Sequence, residues 1–305
     1  MHLGAASMIG ATGSNGSDNG VPQNQDVLTF SKNDLNEVSS IGYTVHNLVV
    51  NDPTVFSEDD IKRIKDDFHS NSLIIGQTNG RYGGGLVSPD KNIRDEAISF
   101  VKNMCILTSK LNAPNTYLRP GSVNPMGPWL PHPENHTSKV FDRLVDSTRE
   151  IISIAEKEGV VLALEGGYVS PIYSARKTKD FMDAVNSNNI GFNQDPVNFI
   201  STLSQAYNTR EFLEEFFTLL GEHTLGAHLK DFRVIDTLLL RFEEEYLGFG
   251  MMDQVYFLKR MQEICPTAHI LVEHIPRDKF KPSYDHVMKF SEKAEIKWDN
   301  YKLCN

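Results

Sequence analysis

Four short apolar segments in the second half of the chain each end at a residue that can bind a metal ion. In chain order these residues are Glu165, Asp195, His228 and Glu273. Carboxylate oxygens and an imidazole nitrogen form a ligand set that suits Mg²⁺, Mn²⁺ or Zn²⁺. If the four segments are neighbouring parallel strands, the four side chains emerge at one rim and can converge on one ion. The spacing therefore predicts a site for one divalent metal ion.

Each of these residues, taken alone, also has a structural explanation. An acid directly after a strand often caps the next helix, and Asp195 precedes Pro196 where a helical pattern begins. A single histidine such as His228 is often a hydrogen-bonded core residue. Glu165 is followed by two glycines rather than by a helix, which weakens the capping explanation there. The metal hypothesis rests on all four residues occurring at equivalent positions.

The four segments belong to a regular alternation of strand-like and helix-like patterns. Short β-rich runs alternate with longer stretches in which apolar residues recur three or four positions apart. Before the four segments, strands are predicted near residues 3–9, 43–50, 73–76 and 115–118. Helices are predicted near residues 31–42, directly after Ser57, and near 97–111, 138–158, 178–185, 197–220, 252–263 and 283–292.

This alternation predicts an α/β fold, a single-domain (β/α)₈ TIM barrel spanning residues 1–305. The alternative is an open doubly wound sheet, but the first turn lacks that fold's glycine fingerprint. The Gly-, Ser- and Asn-rich stretch at residues 10–25 is predicted to be a loop, as is the Pro-rich stretch at 119–135. In TIM barrels the chemistry lies at the C-terminal ends of the strands, where all four candidate ligands fall.

The composition excludes several classes of partner. The net charge of −10 disfavours nucleic acid, because phosphate binding needs clustered Lys and Arg. No apolar run approaches the length of a membrane span, and no signal peptide is evident. The three cysteines have no paired spacing and are predicted to be reduced thiols, which favours a cytoplasmic location. The expected partner is a small polar molecule.

Several pieces of the chain resemble one family. They are Leu-Ala-Leu-Glu at 162–165, Asp-Pro-Val-Asn at 195–198, His-Leu-Lys-Asp at 228–231 and Val-Glu at 272–273. Their order and their strand-end positions are similar to those of the xylose isomerase-like TIM barrels, a superfamily of sugar isomerases and epimerases. The glycine-rich stretch at 82–90 and the segments at 119–122 and 131–135 also fit, so the resemblance covers nearly the whole chain.

The resemblance implies a metal-dependent enzyme acting on a small sugar, keto-sugar or polyol. Glu165, Asp195, His228 and Glu273 would bind one divalent ion, usually Mn²⁺ or Mg²⁺, with Zn²⁺ or Co²⁺ as alternatives. The two glutamates would also move the proton. An ion that chelates a carbonyl and the neighbouring hydroxyl stabilises the enediolate formed on deprotonation. Relatives of this kind are often homodimers or homotetramers.

The chain departs from the best-known branch of this family, the ketose 3-epimerases. Those enzymes often have a His at the position of Asn198, a substrate-binding Glu at that of Pro171 and an Arg at that of Val234. The predicted metal ligands are unaffected, and Asn198 can still hydrogen-bond a substrate hydroxyl. Other branches are dehydratases and hydroxypyruvate isomerases, which share the enolisation step but not the product.

Further residues are candidates for substrate binding. Lys230 lies two residues after His228 and so shares its face of the strand, where it can hold an oxyanion or form an ion pair. Asp231 is expected to be structural. His132 lies in the Pro-rich loop and Arg119 directly follows a strand, and both have ordinary surface or ion-pair roles as alternatives.

Three other functions compete with the isomerase or epimerase hypothesis. A metal-dependent lyase, such as an inosose or dehydroshikimate dehydratase, would use the same enolate chemistry with Lys230 or His132 as proton donor. A DNA-repair endonuclease on this barrel would need several zinc ions and a basic face, which the acidic composition disfavours. A non-catalytic sugar-binding barrel would require no metal.

Overall fold

A computed structural model describes residues 1–6, 27–29, 32–274 and 277–299. Eight parallel strands form a closed barrel surrounded by helices, which confirms the predicted TIM barrel. In chain order, the barrel strands are β1 (His2–Ala5), β2 (Val45–Val50), β3 (Ile74–Gly80), β4 (Asn115–Leu118), β5 (Val161–Leu164), β6 (Ile190–Gln194), β7 (Thr224–Leu229) and, after a two-stranded hairpin, β10 (His269–Val272).

The barrel closes because β1 pairs with strands on both sides. It pairs with β2 through Gly4 opposite Val45, and with β10 through His2 opposite His269. The predicted first strand, residues 3–9, begins in β1, but its second half lies outside the described residues, as does the loop predicted at 10–25.

A two-stranded antiparallel hairpin follows β7 and has no counterpart in the predicted element order. It consists of β8 (Asp231–Val234) and β9 (Phe242–Glu245). Phe232 and Phe242 pack edge to face on one side of the hairpin, whereas Arg233 pairs with Glu243 on the other side. The hairpin stands at the C-terminal rim of the barrel because it leaves β7 at that end.

The surrounding helices follow the predicted pattern closely in most places. Ser57 caps the second helix through a capping box with Asp60, as its spacing predicted. In chain order, the helices are α1 (Lys32–Ile41), α2 (Glu58–Ser70), α3 (Lys91–Lys110), α4 (Ser138–Glu158), α5 (Ala175–Val185), α6 (Leu203–Tyr207), α7 (Thr209–Leu220), α8 (Gln254–Ile264) and α9 (Phe280–Ala294).

The single helix predicted at residues 197–220 is wrong. The structure has a short 3₁₀ turn at Pro196–Phe199, then α6 and α7. Thr202 begins α6 through a capping box with Gln205, and Asn208 interrupts the two helices with a non-helical backbone (φ −125°, ψ 52°). The apolar periodicity continues across these breaks, which is why the pattern alone predicted one helix.

Aromatic packing joins strand β6 to helix α7 below the C-terminal rim. Phe192 on β6 is fully buried and stacks on Phe216 of α7, with ring centroids 6.2 Å apart. Phe199 packs on the same Phe216 at 4.9 Å. Phe192 is therefore a core residue.

The sequence also predicted reduced cysteines and no membrane-spanning segment. Cys105 and Cys265 are free thiols, and Cys304 lies outside the described residues. Among the helices that the structure describes, none is long and apolar enough to cross a membrane.

The glycine-rich and Pro-rich loops meet backbone to backbone at the rim. Gly121 has a φ of +77°, and a Cβ added there would lie 2.2 Å from the carbonyl oxygen of Gly84. Gly84 in turn faces Pro128, with 2.5 Å between an added Cβ and the proline Cβ. The absence of side chains at both glycines lets the two loops pack together.

We expect Gly121→Ala to lower the free energy of unfolding by about 2–4 kcal/mol, because it combines positive-φ strain with a backbone clash. Gly83→Ala is the matched control, since Gly83 also has a positive φ of +64° but no atom within 4 Å of an added Cβ. The control should lose only about 1 kcal/mol in urea unfolding. Equal losses in the two variants would show that the loop contact is unimportant.

Candidate metal centre

The four predicted ligands lie on four strands that are consecutive neighbours in the barrel. The strand order runs β10, β7, β6, β5. Glu165 and Asp195 directly follow β5 and β6, His228 lies within β7, and Glu273 directly follows β10. These four strands form an arc of the barrel wall, with β5 and β10 at its two ends. Backbone hydrogen bonds fix the residues there, since the Glu165 amide donates to the carbonyl of Leu118 and the Glu273 amide to the carbonyl of Leu229.

The ligand atoms of these four residues all lie within 4.8 Å of one another. Nδ1 of His228 lies 3.0 Å from Oε2 of Glu273, 3.3 Å from Oδ2 of Asp195 and 3.6 Å from Oε1 of Glu165. Neighbouring ligands of one ion bound at about 2.1 Å are expected about 3.0–3.4 Å apart. The observed spacing therefore fits a single divalent ion.

The donor chemistry also fits a cation. Burial lowers the pKa of His228, which favours the neutral imidazole that metal binding requires. Oδ1 of Asp195 is buried, and no hydrogen-bond donor of the described residues contacts it. A buried carboxylate oxygen without a donor is costly unless a cation compensates it.

The two glutamates have opposite electrostatic environments. Burial, followed by the charges of Glu273 and Asp195, raises the pKa of Glu165 well above its usual range. Burial also acts to raise the pKa of Glu273, but His228, Lys230 and His274 together outweigh it and hold that pKa well below its usual range. The same burial therefore acts on both carboxyl groups, but only Glu273 has enough neighbouring cationic or donor groups to outweigh it.

Lys230 places a cation among the same carboxylates. Its ammonium nitrogen lies 2.7 Å from Oε2 of Glu273 and 2.8 Å from Oδ2 of Asp195. Burial acts to lower the pKa of Lys230, but Asp195, Glu273 and Glu165 raise it well above its ordinary value. The buried side chain therefore stays charged and compensates the carboxylates.

Asn198 links two of the predicted ligands to Lys230. Its amide nitrogen donates to Oε1 of Glu165 at 3.2 Å and to Oδ2 of Asp195 at 3.0 Å, and its carbonyl accepts from Lys230 at 3.1 Å. Gly167 lies against Asn198, since an added Cβ would come within 3.2 Å of its side chain. The position that departs from the epimerase pattern thus orders the carboxylates in this chain.

Comparison with known proteins identifies the family. A sequence model described as xylose isomerase-like TIM barrel matches residues 35–294. The chain belongs to this family. The match spans the segment that carries all four candidate ligands, so the family resemblance seen in the sequence is confirmed. A search of curated proteins finds no significant match.

Solved structures with this family's fold align over almost the entire chain. A xylose isomerase-like TIM barrel protein from Mycobacterium smegmatis in complex with magnesium aligns with a TM-score of 0.71 at 15% identity, covering 97% of this chain and 98% of its own. A D-tagatose 3-epimerase-like protein aligns with a TM-score of 0.71 at 16% identity, with the same coverage. A D-psicose 3-epimerase aligns with a TM-score of 0.68 at 13% identity, covering 96% and 99%.

Two predicted substrate-binding residues contact residues outside the four-ligand cluster. The Arg119 guanidinium donates to the carbonyl of Gly80 and lies over the ring of Tyr82, 5.4 Å from its centroid. Nδ1 of His132 accepts from the backbone of Glu134 in the Pro-rich loop. Both side chains thus have local structural contacts, and their roles in substrate binding remain predictions.

Several residues near the xylose isomerase-like site were missed by sequence reasoning. Tyr117 on β4 is buried, and its hydroxyl lies 2.9 Å from Nδ1 of His228. His274 directly follows Glu273 and contacts Glu244 of the hairpin. Tyr117 lies near the end of β4, two residues before Arg119. Because side chains two residues apart share a face of a strand, the sequence could have indicated that Tyr117 also points toward the site.

Asp231 has the structural role predicted for it, because its carboxylate anchors the segment after the hairpin by hydrogen bonds. Its buried carboxylate accepts backbone N–H groups from Phe232, Gly248, Gly250 and Met252 at 3.0–3.1 Å. A Cβ at Gly250 would lie 2.2 Å from Oδ1 of Asp231, so only glycine allows this approach.

Replacing Asp231 with alanine should lower the free energy of unfolding by about 3 kcal/mol, because several backbone donors lose their acceptor. Asp236→Ala is the control, because Asp236 is exposed at the hairpin tip, and it should stay within about 0.5 kcal/mol of wild type. Chemical unfolding measures both. An Asp231→Ala protein as stable as the control would contradict the anchoring role.

Proposed function

We propose that this protein is a divalent-metal-dependent isomerase or epimerase acting on a small sugar, keto-sugar or polyol derivative by proton transfer at a carbon next to a carbonyl. One observation carries the proposal: three carboxylates and a histidine converge within 4.8 Å at the C-terminal rim of the barrel. The sugar-epimerase names of several structural neighbours support the same substrate class.

Glu165, Asp195, His228 and Glu273 would hold the metal ion. When bound, the ion would act as a Lewis acid that stabilises negative charge on the substrate oxygens. We favour Mn²⁺ or Mg²⁺ because three of the four ligands are carboxylates. Zn²⁺ and Co²⁺ are the alternatives.

The two glutamates would carry the proton. Glu273 and Glu165 lie on β10 and β5, the outer strands of the four-strand arc, so they can approach a bound substrate from different sides. Glu273, whose low pKa favours the ionised form, would take the proton. Glu165 would return a proton on the other side of the substrate, and such groups typically contribute about 10²–10⁴-fold each.

A lyase reaction is the second candidate, and Lys230 is the observation that favours it. Its buried ammonium lies within 2.8 Å of two ligand carboxylates and can protonate a departing hydroxyl on the same enolate. The epimerase proposal instead gives Lys230 the role of holding a substrate oxygen, with Asn198 beside it. Products distinguish the two, since only the lyase releases water.

The remaining elements of the proposal concern substrate and assembly. We propose a small polyhydroxy substrate, a cytoplasmic location and a homo-oligomer. Among the described residues a single metal-capable cluster occurs, and it contains one histidine, whereas a DNA-repair endonuclease of this fold would need several zinc ions. Nucleic acid is therefore disfavoured as substrate.

The test is a panel of ketoses, keto-sugars and inososes incubated with the protein and Mn²⁺ in D₂O and followed by NMR. Deuterium should appear at a carbon next to the carbonyl of at least one compound, and chelation should abolish the exchange. Isomeric products support the epimerase, and dehydrated products support the lyase. Full activity after complete chelation would overturn the metal-dependent mechanism.

A further inference from the structure

A chain of three side chains leads from the β8–β9 hairpin to the ligand Glu273. Nδ1 of His274 lies 2.9 Å and 3.0 Å from the two carboxylate oxygens of Glu244. Nε2 of the same imidazole lies 3.7 Å from Oε2 of Glu273. That oxygen is also the atom that faces His228 in the ligand cluster. The imidazole therefore hydrogen-bonds a carboxylate of the hairpin and lies at ion-pair distance from a ligand atom.

The hairpin register selects Glu244 from three consecutive glutamates. Glu244 pairs with Phe232 across the hairpin, so the two side chains share one face. Glu243 and Glu245 point to the opposite face, where both form ion pairs with Arg233 at 3.0 Å and 3.4 Å. Glu244 alone of the three reaches His274.

The backbone of His274 turns its side chain back toward the site. Its φ is +55°, in the left-handed region that residues other than glycine rarely adopt. Because His274 directly follows Glu273, this turn places its ring between the ligand and the hairpin. The His274 side chain is only 22% exposed, whereas the Glu244 side chain, which lies farther from the ligand cluster, is 49% exposed.

We propose that Glu244 and His274 are positioning residues that fix the carboxylate of Glu273 for metal binding, an inference that rests on the proposed metal site. Groups behind the ligands of a metal fix their orientation, and their loss typically weakens metal affinity about 10–100-fold. Here Glu244 orients the imidazole by hydrogen bonds, and the imidazole would hold Oε2 of Glu273 through an ion pair. The hairpin begins directly after His228 and Lys230 at the end of β7. It would therefore support the site through this connection and also through Glu244.

The experiment measures Mn²⁺ affinity by calorimetry and the EPR spectrum of the bound ion. Glu244→Gln should weaken binding about 10-fold or more and change the spectrum, because the imidazole loses its anchor. Glu243→Gln and Glu245→Gln are matched controls on the same strand and should bind within about twofold of wild type. Glu244→Asp keeps the carboxylate and should recover most of the lost affinity. His274→Gln should weaken binding as much as Glu244→Gln.

The outcomes separate this inference from the proposed function. Normal Mn²⁺ affinity in Glu244→Gln, alongside clear binding by wild type, would overturn the positioning role and leave the metal site intact. Equal weakening in all three hairpin glutamine variants would also overturn it, because hairpin integrity would then be the cause. A wild-type protein that binds no Mn²⁺ would remove both proposals.

Discussion

Glu273→Gln is expected to lower the rate of proton exchange with solvent about 10³-fold, the largest effect of any single substitution in this protein. Glutamine keeps the shape of the side chain and an oxygen that can face a cation, but it cannot accept a proton from carbon. The low pKa of Glu273, held by His228, Lys230 and His274 against the effect of burial, makes it the ionised base. Deuterium incorporation in D₂O, with the substrate found by the panel, measures the rate.

Glu263→Gln is the control for this substitution. Glu263 lies on α8 and pairs with Arg260 on the surface, so its loss should leave the exchange rate within about twofold of wild type. Mn²⁺ binding measured in parallel separates the loss of the base from the loss of the ion. A Glu273→Gln enzyme that binds Mn²⁺ and retains more than a tenth of the wild-type rate would show that another group removes the proton.

His228→Ala is expected to weaken Mn²⁺ binding by about 100-fold or more, because it removes the sole nitrogen ligand at the centre of the cluster. Changes behind a ligand already weaken metal affinity about 10–100-fold, and loss of the ligand itself should exceed that. Wild type should also gain thermal stability with increasing Mn²⁺, since an ion that binds only the folded chain stabilises it by mass action. That gain should disappear in the variant.

His269→Ala is the matched histidine control. His269 begins β10 at the opposite end of the strand from Glu273, where its Nδ1 lies 3.3 Å from the carbonyl of Gly76. Its loss should change the unfolding midpoint without changing Mn²⁺ affinity. If His228→Ala and His269→Ala bind Mn²⁺ equally well, the proposed ligand set is wrong. Unfolding of both metal-free variants establishes that each is folded.

The barrel was predictable because its strands carry a strong local signal. Residues 160–164 and 269–272 are short apolar runs that end at an acidic residue. Parallel strands that are buried on both faces typically have such continuous apolar sequences. Active sites of such barrels lie at the C-terminal ends of the strands, which predicted that four residues distant in the sequence lie close together. Strand order alone places β5, β6, β7 and β10 side by side.

The hairpin was not predictable from the same signal. Residues 231–245 are rich in charge, and their exposed leucines, such as Leu238 at the tip, lie where apolar periodicity would normally indicate a core. Only the register between β8 and β9 distinguishes Glu244 from its neighbours. The bridge through His274 depends further on a positive φ that histidine seldom adopts, so no local rule predicts it.

The roles of the supporting residues depended on contacts between distant segments. The alternation of side chains along β7 correctly suggested that Lys230 shares a face with His228. The predicted contact of Asn198 with a substrate hydroxyl stays a prediction, and its hydrogen bonds to Glu165 and Asp195 had no signal in the sequence. Arg119 was predicted as a substrate-binding residue or an ordinary ion-pair partner; its guanidinium packs on Tyr82 and donates to the carbonyl of Gly80, and its role in substrate binding stays a prediction.

A crystal soaked in Mn²⁺ and measured at a wavelength where manganese scatters anomalously shows whether the four residues bind one ion. One strong anomalous peak is expected, about 2.0–2.3 Å from carboxylate oxygens of Glu165, Asp195 and Glu273 and from Nδ1 of His228. The ammonium of Lys230 should move away from Asp195 and Glu273 as the ion enters. A fully soaked crystal without a peak among these four residues, or with its strongest peak elsewhere, would mean that they do not form the metal site.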